Sequence, residues 1–277
     1  MPVTFAISIT QPPDDVKLRI EELLRKMPEP AAADFAGLRN LVESNLSVAA
    51  GLWGRCFRAD ERVAIEVVFN GVDPVRADGR SKGAADVGIS KRYPGKTLIM
   101  EGAAYQIVHH RAPPQPGIVI ELPVNDYLTD EMWFDPDAAG GSQDVPDDRV
   151  DAVTVFLHEM AHAFGFNGRL NQDPARPDLW GQATQPVVST FDERVRFHDG
   201  NFFFDGPSAV AENGGLVVPL SDRRGNNNDY SHIGNGAGKC PLGHCDLMTG
   251  YPWKRGHRYC ISRLDLAILQ DVGLPIA

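Results

Sequence analysis

The chain has 277 residues, 43% of them hydrophobic, enough for one large domain or two small ones with a sizeable core. Its 37 acidic against 27 basic residues leave a net charge of -10, which argues against nucleic acid as the main partner, because phosphate recognition needs a basic surface. No run reaches the roughly 18 continuous apolar residues of a helical membrane span, so none is expected.

The opening residues, MPVTFAISIT, alternate as a strand over Pro2 to Thr10 and lack the basic start and long apolar centre of a signal peptide. Helical spacing follows from Asp14 to Met27, closed by Pro28, and again from Asp34 to Ala50. Residues 1–58 are therefore expected to form an N-terminal helical extension packed on the core. Cys56, between Trp53 and Phe57, reads as a buried thiol; as a thiolate it would also be a good metal ligand, able to block a metal site. Val63 to Asn70 is a strand, followed by a Gly71-Val72-Asp73-Pro74 turn, and Thr97 to Met100 and Gly117 to Leu122 read as further strands. Between these strands, His109 and His110 are adjacent; on a strand they would point to opposite faces and could not share an ion. The Asp-, Gly- and Pro-rich stretch from Asp135 to Asp148 is a loop. Its Asp135, Asp137, Asp144, Asp147 and Asp148 either cap the next helix or bind Ca2+.

That helix, expected from about Asp147, carries His158-Glu159-Met160-Ala161-His162. Residues four apart share a helix face, so the two histidines can hold one ion between them. Glu159 stands where its carboxylate can reach a water on that ion without ligating it, the position a general base needs. The flanking Val155, Phe156, Leu157, Ala161, Ala163 and Phe164 bury the helix, and polar groups in such a place need a partner. Gly165, three residues after His162, allows the helix to stop and the chain to turn sharply.

This H-E-x-x-H-x-x-G run resembles the signature of the metzincin metalloproteases, which continues to a third histidine three residues after the glycine. Here that position is Gly168, so the third ligand must come from elsewhere. His198, Glu212, His232, His244 and His257 are the candidates. A glutamate ligand would need a stable second helix, which Asn213, Gly214 and Gly215 interrupt directly after Glu212. His232 follows Asp229-Tyr230-Ser231, 70 residues after His162 and 16 before Met248 in Asp246-Leu247-Met248-Thr249-Gly250-Tyr251. The latter stretch resembles the metzincin Met-turn. The whole order, with Phe204 to Ala209 and Val218 to Leu220, looks most like the leishmanolysin branch and its bacterial relatives, in which an insertion moves the last histidine far downstream.

The resemblance implies an α+β metzincin-like fold: a twisted mixed sheet backed by the active-site helix (residues 59–168), then an irregular lower subdomain (169–277) with the third ligand, Met-turn and C-terminal helix. It implies one catalytic Zn2+ on His158, His162 and His232, Glu159 as general base, and Gly165 and Met248 as supports of the site. It also implies a protein or peptide substrate. Tyr251 stands three residues after Met248, where switchable tyrosine ligands stand two after, so it reads as a pocket wall with a transition-state role as the alternative. The irregular stretch from Asn167 to Gly250, with apolar anchors at Phe202 to Phe204, is expected to form the lower cleft wall. Ser262 and Asp265 open a C-terminal helix that Gly273 closes.

Cys240, Cys245 and Cys260 fall within 21 residues, and a disulfide among them would fit a secreted or extracytoplasmic enzyme. A separate zinc site of Cys240 and Cys245 with His244 or His257 is the competing reading. Two other functions stay open: a gluzincin-like protease with Glu212 as ligand, and a non-catalytic zinc-stabilised binding module.

Overall fold

The computed structural model describes residues 2–26, 32–70, 76–112, 117–140, 144–173, 175–221, 230–234, 246–250 and 252–277. It is a mixed α and β structure with several sheets. The chain opens with β1 (Thr4–Ile9), α1 (Asp14–Lys26) and α2 (Phe35–Gly54), then runs through β2 (Arg62–Asn70), β3 (Asp78–Ser81), β4 (Ala85–Ile89) and β5 (Thr97–Met100). Next come α3 (Gly102–His109), β6 (Ile118–Pro123), β7 (Met132–Trp133), β8 (Val150–Asp151) and α4 (Ala152–Ala163). The last elements are β9 (Val187–Ser189), β10 (Val195–His198), β11 (Asn201–Phe204), α5 (Pro207–Glu212), β12 (Val218–Pro219) and α6 (Arg263–Asp271).

The main sheet has the order β1-β2-β6-β3. β1, β2 and β6 are parallel, and β3 closes the edge antiparallel to β6. Val63, Ile65, Val67 and Phe69 alternate along β2 and are buried, as the period of two requires for a strand with one face on a core. α2 and α4 pack together over this sheet. The fully buried Trp53 of α2 donates its indole N–H to the Leu157 carbonyl of α4 at 3.0 Å and meets Phe164 edge-on. The N-terminal segment is thus built into the core: it supplies a strand of the main sheet and the helix behind α4. Asp34 caps α2, which runs past Ala50 to Gly54 because Leu52 and Trp53 continue its apolar pattern.

Several expectations change. α4 begins at Ala152, not near Asp147, because residues 146–149 close a turn and the Asp151 carboxylate accepts the Thr154 N–H at 2.8 Å as the helix cap. Thr97–Met100 leaves the main sheet for a second one, ordered β4-β5-β9, in which β5 pairs parallel with β9. His109 and His110 end a helix instead of lying on a strand; His110 is the left-handed cap (φ 55°) and bonds Glu61 at 2.7 Å. The region after α4 is more ordered than its composition suggests, since β10, β11 and β12 form an antiparallel sheet with Phe202 and Phe204 in the core. α6 carries the expected capping box of Ser262 and Asp265.

Candidate metal centre

α4 is buried nearly all round, and His158 is 6% exposed. His158 and His162 stand one turn apart with ring centroids 4.7 Å from each other. Each ring is aimed by a backbone carbonyl: His158 Nδ1 lies 3.0 Å from the Leu247 oxygen and His162 Nδ1 2.7 Å from that of Phe166. A carbonyl only accepts, so each Nδ1 carries the proton and each Nε2 presents a lone pair. Gly165 makes the second contact geometrically possible, because its φ of +117° turns the chain back so that the Phe166 carbonyl reaches His162.

The third imidazole comes from 230–234, a short segment outside every helix and strand. His232 Nε2 is 3.3 Å from His158 Nε2, and His158 and His162 Nε2 are 3.1 Å apart. Among the described residues the three histidines are the one group able to hold a metal ion, with ligand atoms all within 4.8 Å of each other. The Tyr230 hydroxyl donates to the buried Asp192 carboxylate at 2.8 Å and accepts the Leu170 N–H. Ser231 Oγ accepts the Gly168 N–H at 3.0 Å, and the Ile233 N–H donates to the Met248 carbonyl at 2.7 Å. Gly168, where the family pattern has its third histidine, must be small for a structural reason: a Cβ there would lie 2.1 Å from the Tyr230 ring.

The separations test the fit to a cation. Four-coordinate tetrahedral zinc with N ligands at about 2.0–2.1 Å has nitrogens about 3.3 Å apart. The two separations from His158, 3.1 and 3.3 Å, match, and all three ligand nitrogens lie within 4.8 Å of one another. With both Nδ1 protons committed to carbonyls, the Nε2 lone pairs of His158 and His162 face one another with no proton between them, an arrangement that a cation relieves.

Glu159 is 7% exposed, and its carboxylate accepts the Gly79 N–H from β3. A Cβ on Gly79 would lie 2.3 Å from the Glu159 Cβ, so only glycine lets the sheet edge press this close to α4. Burial lifts the Glu159 carboxyl to about 8; the Gly79 N–H draws it down and Asp78 adds to the rise. A cation among the imidazoles acts in the opposite sense. These groups open on a cleft of about 330 Å³, whose walls include Arg76, Tyr127, Asn167, Thr249 and Trp253. Trp253 stands edge-on to His158 at 4.8 Å and donates at 3.3 Å to the Leu247 carbonyl, the oxygen that also orients that histidine.

Met248 is fully buried in a turn closed by the Thr249 N–H on the Asp246 carbonyl at 3.1 Å. Tyr251, His244, Cys240, Cys245, Asp229 and the 71–74 turn lie outside the described residues. Glu212 ends α5 and pairs with Arg263 at 3.1 Å, away from the imidazoles. His198 pairs with Asp199, and His257 packs on Tyr259. Cys56 and Cys260 are free thiols, and Cys56 faces the Leu52 carbonyl instead of the histidines. Among the described residues no calcium cage forms around Asp135, whose buried carboxylate is taken by Arg258 at 2.9 Å and the Asp137 N–H at 2.9 Å. Sequence reasoning missed Gly79, Tyr127, Asp192 and Trp253. The four-residue Asp78–Ser81 strand has no apolar alternation to betray it, and the others gain meaning only from partners 38 to 95 positions away.

Comparison with family models, curated proteins and solved structures returns no match. Among the described residues no helix is long and apolar enough to cross a membrane.

Proposed function

We propose that the chain is a zinc-dependent endopeptidase of metzincin type, closest in motif order to the leishmanolysin branch. The observation that carries this reading is the convergence of three imidazole nitrogens with a buried carboxylate beside them, in an open cleft. His158, His162 and His232 are the residues that would hold the ion. Bound there, zinc supplies a Lewis acid that polarises a carbonyl and brings the pKa of water down to about 7.

The chain's own groups do the rest. Glu159, oriented by the Gly79 N–H, takes a proton from the attacking water and delivers it to the leaving amine nitrogen as the C–N bond breaks. The Leu247 and Phe166 carbonyls keep two imidazoles in the tautomer that offers Nε2. Met248 serves as the apolar floor and Gly165 as the turn that returns the chain to the site. A peptide or protein is the substrate, and a secreted or extracytoplasmic location suits the activity. Neither the gluzincin-like reading nor the zinc-stabilised module gains support, since Glu212 is engaged by Arg263 and a purely structural site has no use for Glu159.

Casein hydrolysis by the purified chain, with and without a chelator, is the test. Cleavage that chelation stops and zinc restores is expected, with bound zinc lowered in His232→Ala. Stoichiometric zinc and full activity in that variant would overturn the ligand assignment.

A further inference from the structure

Arg76 and Tyr127 stand together on one wall of the imidazole cleft. The Arg76 guanidinium carbon lies 6.0 Å from the centre of the Tyr127 ring, within cation–π range. Neighbouring arginines are neutralised: Arg80 by Glu121 and Asp78, Arg149 by Asp148, and Arg255 by Glu131. Arg76 has no carboxylate partner among the described residues. Tyr127 is only 7% exposed, yet its hydroxyl makes no hydrogen bond among the described residues. Burial pushes this phenol up, Arg76 draws it down and Glu159 pushes it up again, so the group is a protonated donor within electrostatic range of both.

Two donors therefore share a wall without an acceptor. Arg76 is exposed on this wall, so its guanidinium is open to a ligand that enters the cleft. A planar guanidinium with an adjacent hydroxyl matches the two oxygens of a carboxylate.

We propose that Arg76 and Tyr127 form a carboxylate-recognition subsite, so that the favoured substrate is a peptide with an acidic group close to the scissile bond, on the side of the cleft where β3 begins. This rests on the peptidase reading and names its substrate class. The carboxylate comes from an Asp or Glu side chain or from the peptide's own C-terminus.

The zinc-loaded full chain is assayed with quenched fluorescent peptides in which Glu, Gln or Lys is walked through the positions flanking the cleaved bond, each peptide made amidated and with a free C-terminus. At one position Glu is expected to exceed Gln by about tenfold in kcat/KM, the scale of one charge-assisted hydrogen bond. Arg76→Gln brings that ratio to near one, Arg76→Glu inverts it toward Lys, and Tyr127→Phe lowers it in part. A preference confined to free C-termini assigns the subsite to a terminal carboxylate. The same Glu and Gln peptides are titrated against Glu159→Gln by Trp253 fluorescence, which reads discrimination without turnover. A ratio near one in both assays, or one that Arg76→Gln leaves intact, overturns the subsite. Discrimination in binding with no peptide cut overturns the peptidase reading and leaves the subsite standing.

Discussion

His158 and His162 stand on α4, where helix geometry alone sets them one turn apart, whereas His232 stands on a segment that belongs to no helix or strand. The first pair needs only a buried helix and two carbonyls to aim the rings. The third needs a relay. Asp192 holds Tyr230, Ser231 is tied to Gly168, and Ile233 is tied to Met248, so that every residue around His232 is anchored to a different part of the chain. On the helix side Arg258 bridges the buried Asp135 and Asp151 at 2.9 and 2.8 Å, while Glu159 is buried with the Gly79 N–H as its donor. The loop side buries carboxyls without a cation: Asp192 among N–H and O–H donors, and Asp265 beneath the Met248 turn. A ligand position can thus be encoded locally or assembled from a distance, and the second way exposes it to more kinds of failure.

The largest effect is expected on the helix side. Glu159→Gln should lower kcat for peptide hydrolysis by about 10³- to 10⁴-fold while zinc content, measured by atomic absorption, stays at that of the parent chain. A matched loss of zinc would mean that this residue supports the ion instead of moving a proton.

The next separates the two sides by pH. Burial raises Asp265 to about 7, with Asp246 adding to the rise, from an ordinary 3.8. The folded state therefore favours the neutral acid. The associated stability is fully present below about pH 4 and is lost as pH rises through 7, up to about 4 kcal/mol at 1.36 kcal/mol per pKa unit. Urea midpoints measured from pH 4 to 8 should fall in the parent chain and fall less steeply in Asp265→Asn, with Glu159 keeping part of the slope. An equal slope in both would remove Asp265 from the account.

Smaller effects test the relay. Tyr230→Phe leaves the Asp192 carboxylate and the Leu170 N–H each short of a partner, for a cost of about 1–3 kcal/mol and about 10- to 100-fold in zinc affinity. Competition with a zinc-binding dye reads the second number; unchanged affinity would show that His232 is held by its other ties. Gly168→Ala drives a methyl into the Tyr230 ring and should cost about 1–3 kcal/mol in thermal unfolding. A neutral result would show that the ring can step aside.

The amino-acid sequence by itself determined what depends on neighbours along the chain: the alternation of β2, the caps of α2 and α6, the pair of histidines four apart, and the glycine that ends the helix at 165. Periodicity and capping act within one or two turns, so letters carry them. Motif order also pointed to His232, but not to what brings it there. Only the tertiary structure decided that Asp78–Ser81 is the sheet edge against Glu159, that Thr97–Met100 joins a second sheet, and that Tyr230 fills the space over Gly168. Those facts arise from contacts between segments tens of residues apart, which packing and hydrogen-bond satisfaction select only once the whole chain is folded.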